Sequence, residues 1–118
     1  MGITTIKARV FNPAESSTKL ELVFTVDSGA GYSLVPQDVL QDLGIQPHQT
    51  ESFFLANGDE IQRKMGIACF EWRGKITAAS VIFGEEGDAA LMGATTLEGF
   101  GFVLDPFRRE LRPMSMRL

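Results

Sequence analysis

Cysteine is almost absent from this sequence, which has one, Cys69, among its 118 residues. A single thiol cannot form a disulfide within its own chain, and this excludes the disulfide-rich scaffolds that stabilise many small extracellular proteins. At this length a chain buries about two-thirds of its unfolded surface, so a hydrophobic core suffices for stability. We therefore expect a single domain over residues 1–118, a reduced thiol and a cytoplasmic location.

Positive charge is also scarce. Eleven Lys and Arg residues stand against fifteen Asp and Glu residues, for a net charge of −4. A surface that binds phosphate groups needs the opposite balance, so we expect no nucleic-acid partner. No apolar run approaches the roughly 18 residues of a membrane-spanning helix, and the first residues lack the pattern of a signal peptide, so we expect no membrane segment.

Residues that bind metals or act as nucleophiles are few. The only histidine, His48, lies in a polar stretch with no second ligand at a suitable spacing, and we interpret it as a surface loop residue. Cys69 is interpreted as a strand residue rather than a nucleophile. Glu85, Glu86 and Asp88 indicate a solvated acidic loop rather than a cation site. The sequence therefore predicts no metal and no cofactor.

Glycine and short apolar runs, by contrast, are abundant. Twelve glycines punctuate the chain, which favours many short strands over long helices. Residues 18–26 and residues 6–11 both alternate between apolar and polar positions, as half-buried strands do. The polar residues 12–17 between them supply a turn. The chain is predicted to open with a β-hairpin.

Two further hairpins are predicted from turn residues. Asn57 and Gly58 are the strongest signal for a two-residue turn, and Arg73 and Gly74 turn the chain again. The strand that follows, which includes Ile76, is predicted to be buried on both faces. The remaining predicted elements are, in chain order, a helix over residues 37–43, strands over 52–56, 59–72, 75–83 and 89–93, a helix over 95–98, and strands over 101–104 and 110–112.

The segment around Asp27 is the most informative for chemistry. An apolar strand runs directly into Asp27, Ser28 and Gly29. Such a strand end delivers an ionisable group on a rigid support, a neighbouring hydroxyl can hydrogen-bond to it, and glycine permits close approach of backbone or substrate. Taken alone, however, Asp-Ser-Gly is more often an ordinary turn.

A second segment changes that interpretation. Residues 89–97 place the apolar pair Leu91 and Met92 before Gly93 and a short helix. Together with the Asp27 segment, this pattern resembles the retropepsin-like aspartic proteases, a family that includes retroviral proteases and small bacterial relatives. The likeness spans nearly the whole chain, with the second hairpin in the place of the flap. It implies an all-β fold, a closed β-barrel with one or two short helices.

The resemblance also implies roles for individual residues. Asp27 corresponds to the catalytic carboxylate, Ser28 to the hydroxyl that joins two active-site loops, and Gly29 to a backbone position facing the substrate, with Ala30 supporting the site. The implied flap and substrate-binding residues are Ala56, Asn57 and Gly58.

Peptide hydrolysis in this family needs two carboxylates that share a proton. The sequence has one Asp-Ser-Gly, at Asp27, and the residues after Asp105 do not repeat it, so we interpret Asp105 as a turn residue. The chain must then pair with itself, which implies a homodimer with the site on its axis and a polypeptide substrate. We expect residues 4–7 and 110–112 to form the interface.

Two positions depart from the viral pattern. Gly31 and Ala94 stand where viral members carry an Asp and an Arg that form an ion pair near the interface. Both charges are missing together, which avoids an unpaired buried charge but leaves the strength of the dimer open. The alternative function is therefore a catalytically weak or inactive dimer of the same fold that binds extended peptide segments.

Overall fold

The computed structural model describes residues 4–105 and 107–115, so the predicted domain extends beyond the described residues at both ends. These ranges contain nine strands and two short helices, and the predicted all-β class is confirmed. The elements are β1 (Thr5–Asn12), β2 (Glu15–Val26), β3 (Ser33–Pro36), α1 (Gln37–Asp42), β4 (Gln49–Phe54), β5 (Glu60–Trp72), β6 (Lys75–Gly84), β7 (Leu91–Met92), α2 (Ala94–Gly99), β8 (Phe102–Asp105) and β9 (Glu110–Pro113).

The first hairpin forms as its alternating sequence predicts. β1 and β2 pair antiparallel, from Thr5 opposite Thr25 to the far end of the hairpin. Val10 and Phe24 are completely buried, whereas Val23 on the opposite face of β2 is 57% exposed. One face of the hairpin therefore belongs to the core and the other to solvent.

The strand pairings return to their starting point. The order in the main sheet is β1-β2-β7-β3-β6-β5-β4, and β1 also pairs with β5, so six strands form a closed circuit. Among the described strands, β4 pairs only with β5 and lies outside that circuit, while β8 and β9 form a separate two-stranded sheet. All six strands of the circuit contribute buried side chains to one hydrophobic core.

Aromatic rings join the distant parts of this core. Phe24 of β2 meets Phe70 of β5 edge to face, with ring centroids 5.9 Å apart. Trp72 makes similar contacts with Phe100 (5.8 Å) and with Phe102 of β8 (5.0 Å). Such pairs stabilise by about 0.5–1.5 kcal/mol beyond the burial of their area. They attach α2 and the β8–β9 sheet to the main sheet.

Both helices are short. α1 begins after Pro36, whose fixed φ suits a helix start, and buries Leu40 completely. Gly44 follows with a φ of +75°, and its N–H donates to the Gln41 carbonyl (2.9 Å), which ends the helix where the sequence predicts. Within the described residues, the structure has no helix of the length and apolarity needed to cross a membrane.

The turn between β5 and β6 is the two-residue turn that the sequence predicts. Trp72 pairs with Lys75 across it. Arg73 and Gly74 have φ angles of 52° and 76°, and positive values at both central positions define a type I′ turn.

The turn between β4 and β5 differs from the prediction. The Gly58 N–H donates to the Leu55 carbonyl (2.9 Å), so Ala56 and Asn57 are the central residues, and only Gly58 adopts a positive φ, of 90°. The predicted two-residue turn at Asn57 and Gly58 is therefore wrong. The Asn57 side chain instead accepts the Asp59 N–H (2.9 Å), a local bond that competes with the type I′ geometry.

β6 is buried on one face rather than on both. Val81 and Phe83 are buried, but Ile76 is 55% exposed, which corrects the prediction for this residue. Ile76 lies on the opposite face of the pleat, where Ala78 is also exposed.

Candidate active site

Asp27 lies immediately after the buried end of β2. Val26 is 6% exposed and pairs in parallel with Met92 of β7. The Asp27 N–H continues this ladder by donating to the Met92 carbonyl (3.0 Å), whereas the Asp27 side chain lies in solvent. The backbone that carries the carboxylate is therefore fixed to the sheet while the carboxylate itself is accessible.

The turn after Asp27 holds the carboxylate from one side. The Gly29 N–H donates to Oδ1 of Asp27 (2.9 Å), and the Ala30 N–H donates to the Asp27 carbonyl (3.1 Å). A Cβ at Gly29 would lie 3.2 Å from the same Oδ1, closer than ordinary van der Waals contact. The glycine thus leaves room for the carboxylate that it binds.

This turn packs against the β7–α2 junction. The Ala94 N–H donates to the Ala30 carbonyl (2.8 Å), and the Thr95 N–H donates to the Gly31 carbonyl (3.1 Å). A Cβ at Gly93 would lie 2.6 Å from the carbonyl carbon of Tyr32, a backbone atom that cannot move independently. The two segments that carry the sequence resemblance are therefore in direct backbone contact.

Two hydroxyl groups that were not predicted from the sequence lie beneath this contact. Ser33 and Thr96 are both completely buried, and their oxygens are 2.6 Å apart. The Gly93 N–H donates to Oγ of Ser33 (3.0 Å). The available signal was a polar residue at the inward position of an apolar strand and another on the apolar side of a short helix.

The predicted site residues fall into two groups. Asp27, Ser28 and Gly29 are consecutive and exposed, and Ala30 is partly buried beside them. Ser28 borders an open depression of about 160 Å³ whose other lining residues include Leu97, of α2. The second group consists of the hairpin residues Ala56, Asn57 and Gly58, which are all exposed.

An aromatic contact connects the hairpin to the segment that carries Asp27. Phe53 of β4 meets Tyr32 edge to face, with ring centroids 6.5 Å apart. Tyr32 is 41% exposed, and Phe54 and Leu55 at the end of the hairpin are 75% and 45% exposed. The hairpin therefore contacts the Asp27 segment through Phe53 and leaves the apolar side chains of Phe54 and Leu55 exposed.

The acidic loop before β7 forms ion pairs with a basic residue of the same chain. Arg63 of β5, with a side chain only 18% exposed, lies 3.6 Å from Glu85 and 3.5 Å from Asp88. Oδ2 of Asp88 also accepts the Glu85 N–H (2.8 Å). No three His, Cys, Asp or Glu residues of the described ranges cluster as a metal site would require.

The other titratable candidates lie apart from Asp27. His48 is an exposed loop residue. Burial raises the pKa of the Cys69 thiol, which opposes the thiolate form that a nucleophile needs. Oδ1 of Asp105 accepts the N–H groups of Phe107 (3.0 Å) and Arg108 (3.2 Å), so Asp105 closes a turn as predicted.

Comparison with known proteins adds structural evidence. Neither a family model nor a curated protein sequence matches the chain. The solution structure of a simian foamy virus protease matches with 25% sequence identity and a TM-score of 0.56, over 80% of this chain and 92% of that one. The crystal structure of a retropepsin-like aspartic protease from Rickettsia conorii matches at 22% identity and a TM-score of 0.49, over 89% of this chain and 94% of that one.

The foamy virus match extends over most of both chains. Its extent agrees with the resemblance inferred from the two sequence segments. The resemblance is therefore confirmed, and the chain is retropepsin-like.

Proposed function

We propose that the protein is an aspartic endopeptidase whose active site is formed by Asp27 and the partner subunit's Asp27 at the axis of a homodimer. The observation that carries the proposal is the Asp27 geometry. Its backbone is fixed to β7 through Met92, while its carboxylate is exposed and held by the Gly29 N–H. A protease dyad requires a carboxylate that is rigidly supported and still open to water and substrate.

The chemistry follows from two carboxylates that share one proton. The ionised carboxylate accepts a proton from the attacking water, and the protonated carboxylate donates its proton to the carbonyl oxygen of the peptide. Two adjacent carboxylates retain one proton because both cannot ionise cheaply side by side. One chain supplies one such Asp, so the second comes from the partner.

The edges of the sheets favour self-association through the chain ends. Within the described residues, β1 pairs with β5 only over residues 9–11, which leaves residues 5–7 with one neighbouring strand. β9 likewise pairs only with β8. The Thr4 hydroxyl donates to the Arg109 carbonyl (3.0 Å), so the free edges lie close together. We propose that these edges pair across the dimer axis.

The hairpin suits an extended polypeptide substrate. β4 is an edge strand, and its residues are mostly exposed. An extended chain lying between such a hairpin and the Asp27 turn would form backbone hydrogen bonds on one side. Leu55, two residues after Phe53 and 45% exposed, would contact its side chains. Ala56, Asn57 and Gly58 would then be the flap residues that cover the substrate.

The test is digestion of an unfolded protein by purified wild type, by Asp27→Asn and by the control Asp42→Asn. Asp42 is an exposed residue at the end of α1, so the control removes one negative charge away from the site. We expect Asp27→Asn to lose at least about 100-fold in kcat/KM, because general acid and base groups contribute about 10²–10⁴-fold. The control should retain wild-type activity, and the activity should comigrate with the dimer.

Two outcomes would overturn the proposal. Cleavage by Asp27→Asn equal to that of the wild type would show that another group or a contaminant is responsible. Absence of cleavage by the wild type, combined with saturable binding of an unfolded peptide, would favour the alternative function of a peptide-binding dimer.

A further inference from the structure

The segment that carries Asp27 is fastened to the β7–α2 junction by a continuous set of hydrogen bonds. Three of them join backbone groups, at Asp27, Ala30 and Gly31. The remaining connection depends on side chains, because Ser33 and Thr96 meet through their hydroxyls. Substitution can therefore remove this connection without altering the backbone bonds directly.

The Ser33 hydroxyl is fully engaged in that connection. Its oxygen accepts the Gly93 N–H (3.0 Å) and lies 2.6 Å from the Thr96 hydroxyl, and both side chains are completely buried. A buried hydroxyl without a partner is costly, so each residue constrains the position of the other. The pair fixes the spacing between the end of the Asp27 turn and the start of α2.

The start of α2 depends on the Asp27 turn in return. Gly93 occupies the N-cap position and has no side chain to accept the first helical amides. The first two, Ala94 and Thr95, donate instead to the carbonyls of Ala30 and Gly31. The turn therefore caps the helix, and a change in spacing at the hydroxyl pair is transmitted to the carbonyls beside Asp27.

We propose that Ser33 and Thr96 are positioning residues for Asp27, and that their hydroxyl bond sets the orientation of the carboxylate. The inference rests on the proposed peptidase function. A displacement of about 1 Å at a reacting group can cost about 100-fold in rate. In a symmetric dimer the displacement acts on both carboxylates at once.

The test uses a pair of substitutions at one position. Thr96→Val keeps the shape of the side chain and removes the hydroxyl, whereas Thr96→Ser keeps the hydroxyl and removes the methyl group. We expect Thr96→Val to lower kcat about 10–100-fold with KM changed less than about threefold, and Thr96→Ser to keep kcat within about threefold of wild type. If Thr96→Val does not fold, Thr96→Ala removes the same hydroxyl without adding a methyl group beside Ser33.

A control separates positioning from general destabilisation. Val10 is completely buried in β1 and pairs with Leu20 and Phe70, away from the hydroxyl pair. Val10→Ala should lower stability while leaving kcat per folded molecule within about twofold of wild type. A Thr96→Val variant that behaves like Val10→Ala in kcat would overturn the proposal.

Hydrogen exchange provides a measurement that needs no activity. Loss of the hydroxyl bond should speed exchange at Gly93 and Ala94 at least about tenfold in Thr96→Val, and not in Thr96→Ser. If Thr96→Val exchanges faster at these amides but the wild type cleaves no peptide, the result would support the structural role of the hydroxyl bond and overturn the peptidase function. Unchanged exchange at both amides would overturn the positioning proposal whether or not the wild type is a peptidase.

Discussion

Gly93 shows how a single residue permits the site to form. Its missing side chain leaves space for the backbone of Tyr32 and for the Ala30 carbonyl oxygen, which would lie 2.9 Å from an added Cβ. A Cβ added to Gly31, in the facing turn, would have no atom within 4 Å, and the φ of Gly31 is not positive. The two glycines are therefore a matched pair for testing close approach.

We expect Gly93→Ala to lower the free energy of unfolding by about 1–3 kcal/mol, because the clash involves backbone atoms and must be relieved by moving a segment. Gly31→Ala should change it by less than about 0.5 kcal/mol or raise it slightly. Urea denaturation of both variants measures the difference. Equal stability of the two variants would contradict the packing described at this junction.

Asp105 is a residue whose titration should affect stability. The pKa of its carboxyl is lowered, first by the hydrogen bond that it accepts from the Arg108 N–H and then by the one from the Phe107 N–H. The Arg112 guanidinium, 3.3 Å from the carboxylate, lowers the pKa further. A carboxyl group whose pKa is lower in the folded than in the unfolded chain contributes its full stabilisation at pH values above the usual carboxyl pKa of about 3.9. This contribution is lost as the pH falls through the lowered pKa.

Asp105→Asn should therefore be less stable than wild type at neutral pH, and the difference should narrow below about pH 4. The urea midpoint measured against pH tests this, with Asp42→Asn as the control for net charge. A difference that stays constant down to pH 2 would show that the ionised carboxylate is not what stabilises the turn.

The strands and helices that were predicted correctly are those with a local pattern in the sequence. Alternation in residues 18–26 identified β2, and the combination of Pro36 and Gly44 bounded α1. Turn geometry was harder, since Asn57 forms its own side-chain bond to Asp59 and so adopts a different turn. The parallel pairing of β2 with β7 has no local signal, because residues about 66 positions apart form it.

The candidate site was predictable to a similar degree. Asp27 and Gly93 lie in short sequence motifs, and the structure brings the two segments together. Ser33 and Thr96 carry no motif, because their role arises only when β3 and α2 pack against each other. A buried hydroxyl pair of this kind is a tertiary feature, and the sequence around either residue does not specify it.

The hairpin of β4 and β5 is the element expected to move most. In the described part of the chain β4 has a single neighbouring strand, and residues 55–60 are all exposed. Farther along β5, residues 65–72 pair with β6 and contribute Phe70 and Trp72 to the core. One strand therefore joins a weakly packed end to a strongly packed one.

Amide hydrogen exchange should distinguish the two ends of this hairpin. We expect amides 55–60 to exchange at least about 100-fold faster than those of residues 66–72, because local opening at the hairpin end exposes little apolar surface. The slow segment serves as the internal control. Uniform protection from residue 55 to residue 72 would contradict a flap that opens for substrate.

At the scale of the whole molecule, one chain provides a complete core but only half of the proposed catalytic pair. The closed circuit of strands buries side chains from all of its members. Asp27 lies at its surface with no second Asp-Ser-Gly in the sequence. We therefore expect catalysis to require the dimer, while each chain folds around its own core.

Mixed dimers distinguish a shared active site from one within each chain. Wild type and Asp27→Asn are unfolded together in equal amounts and refolded at a concentration that favours dimers. Peptide cleavage by the mixture is then compared with cleavage by wild type alone at the same total protein concentration. Random pairing gives two Asp27 carboxylates in about one quarter of the dimers, so we expect about one quarter of the wild-type activity. A parallel mixture with Asp42→Asn should retain full activity. Activity of about one half would contradict the account, because it would mean that each Asp27 acts within its own chain.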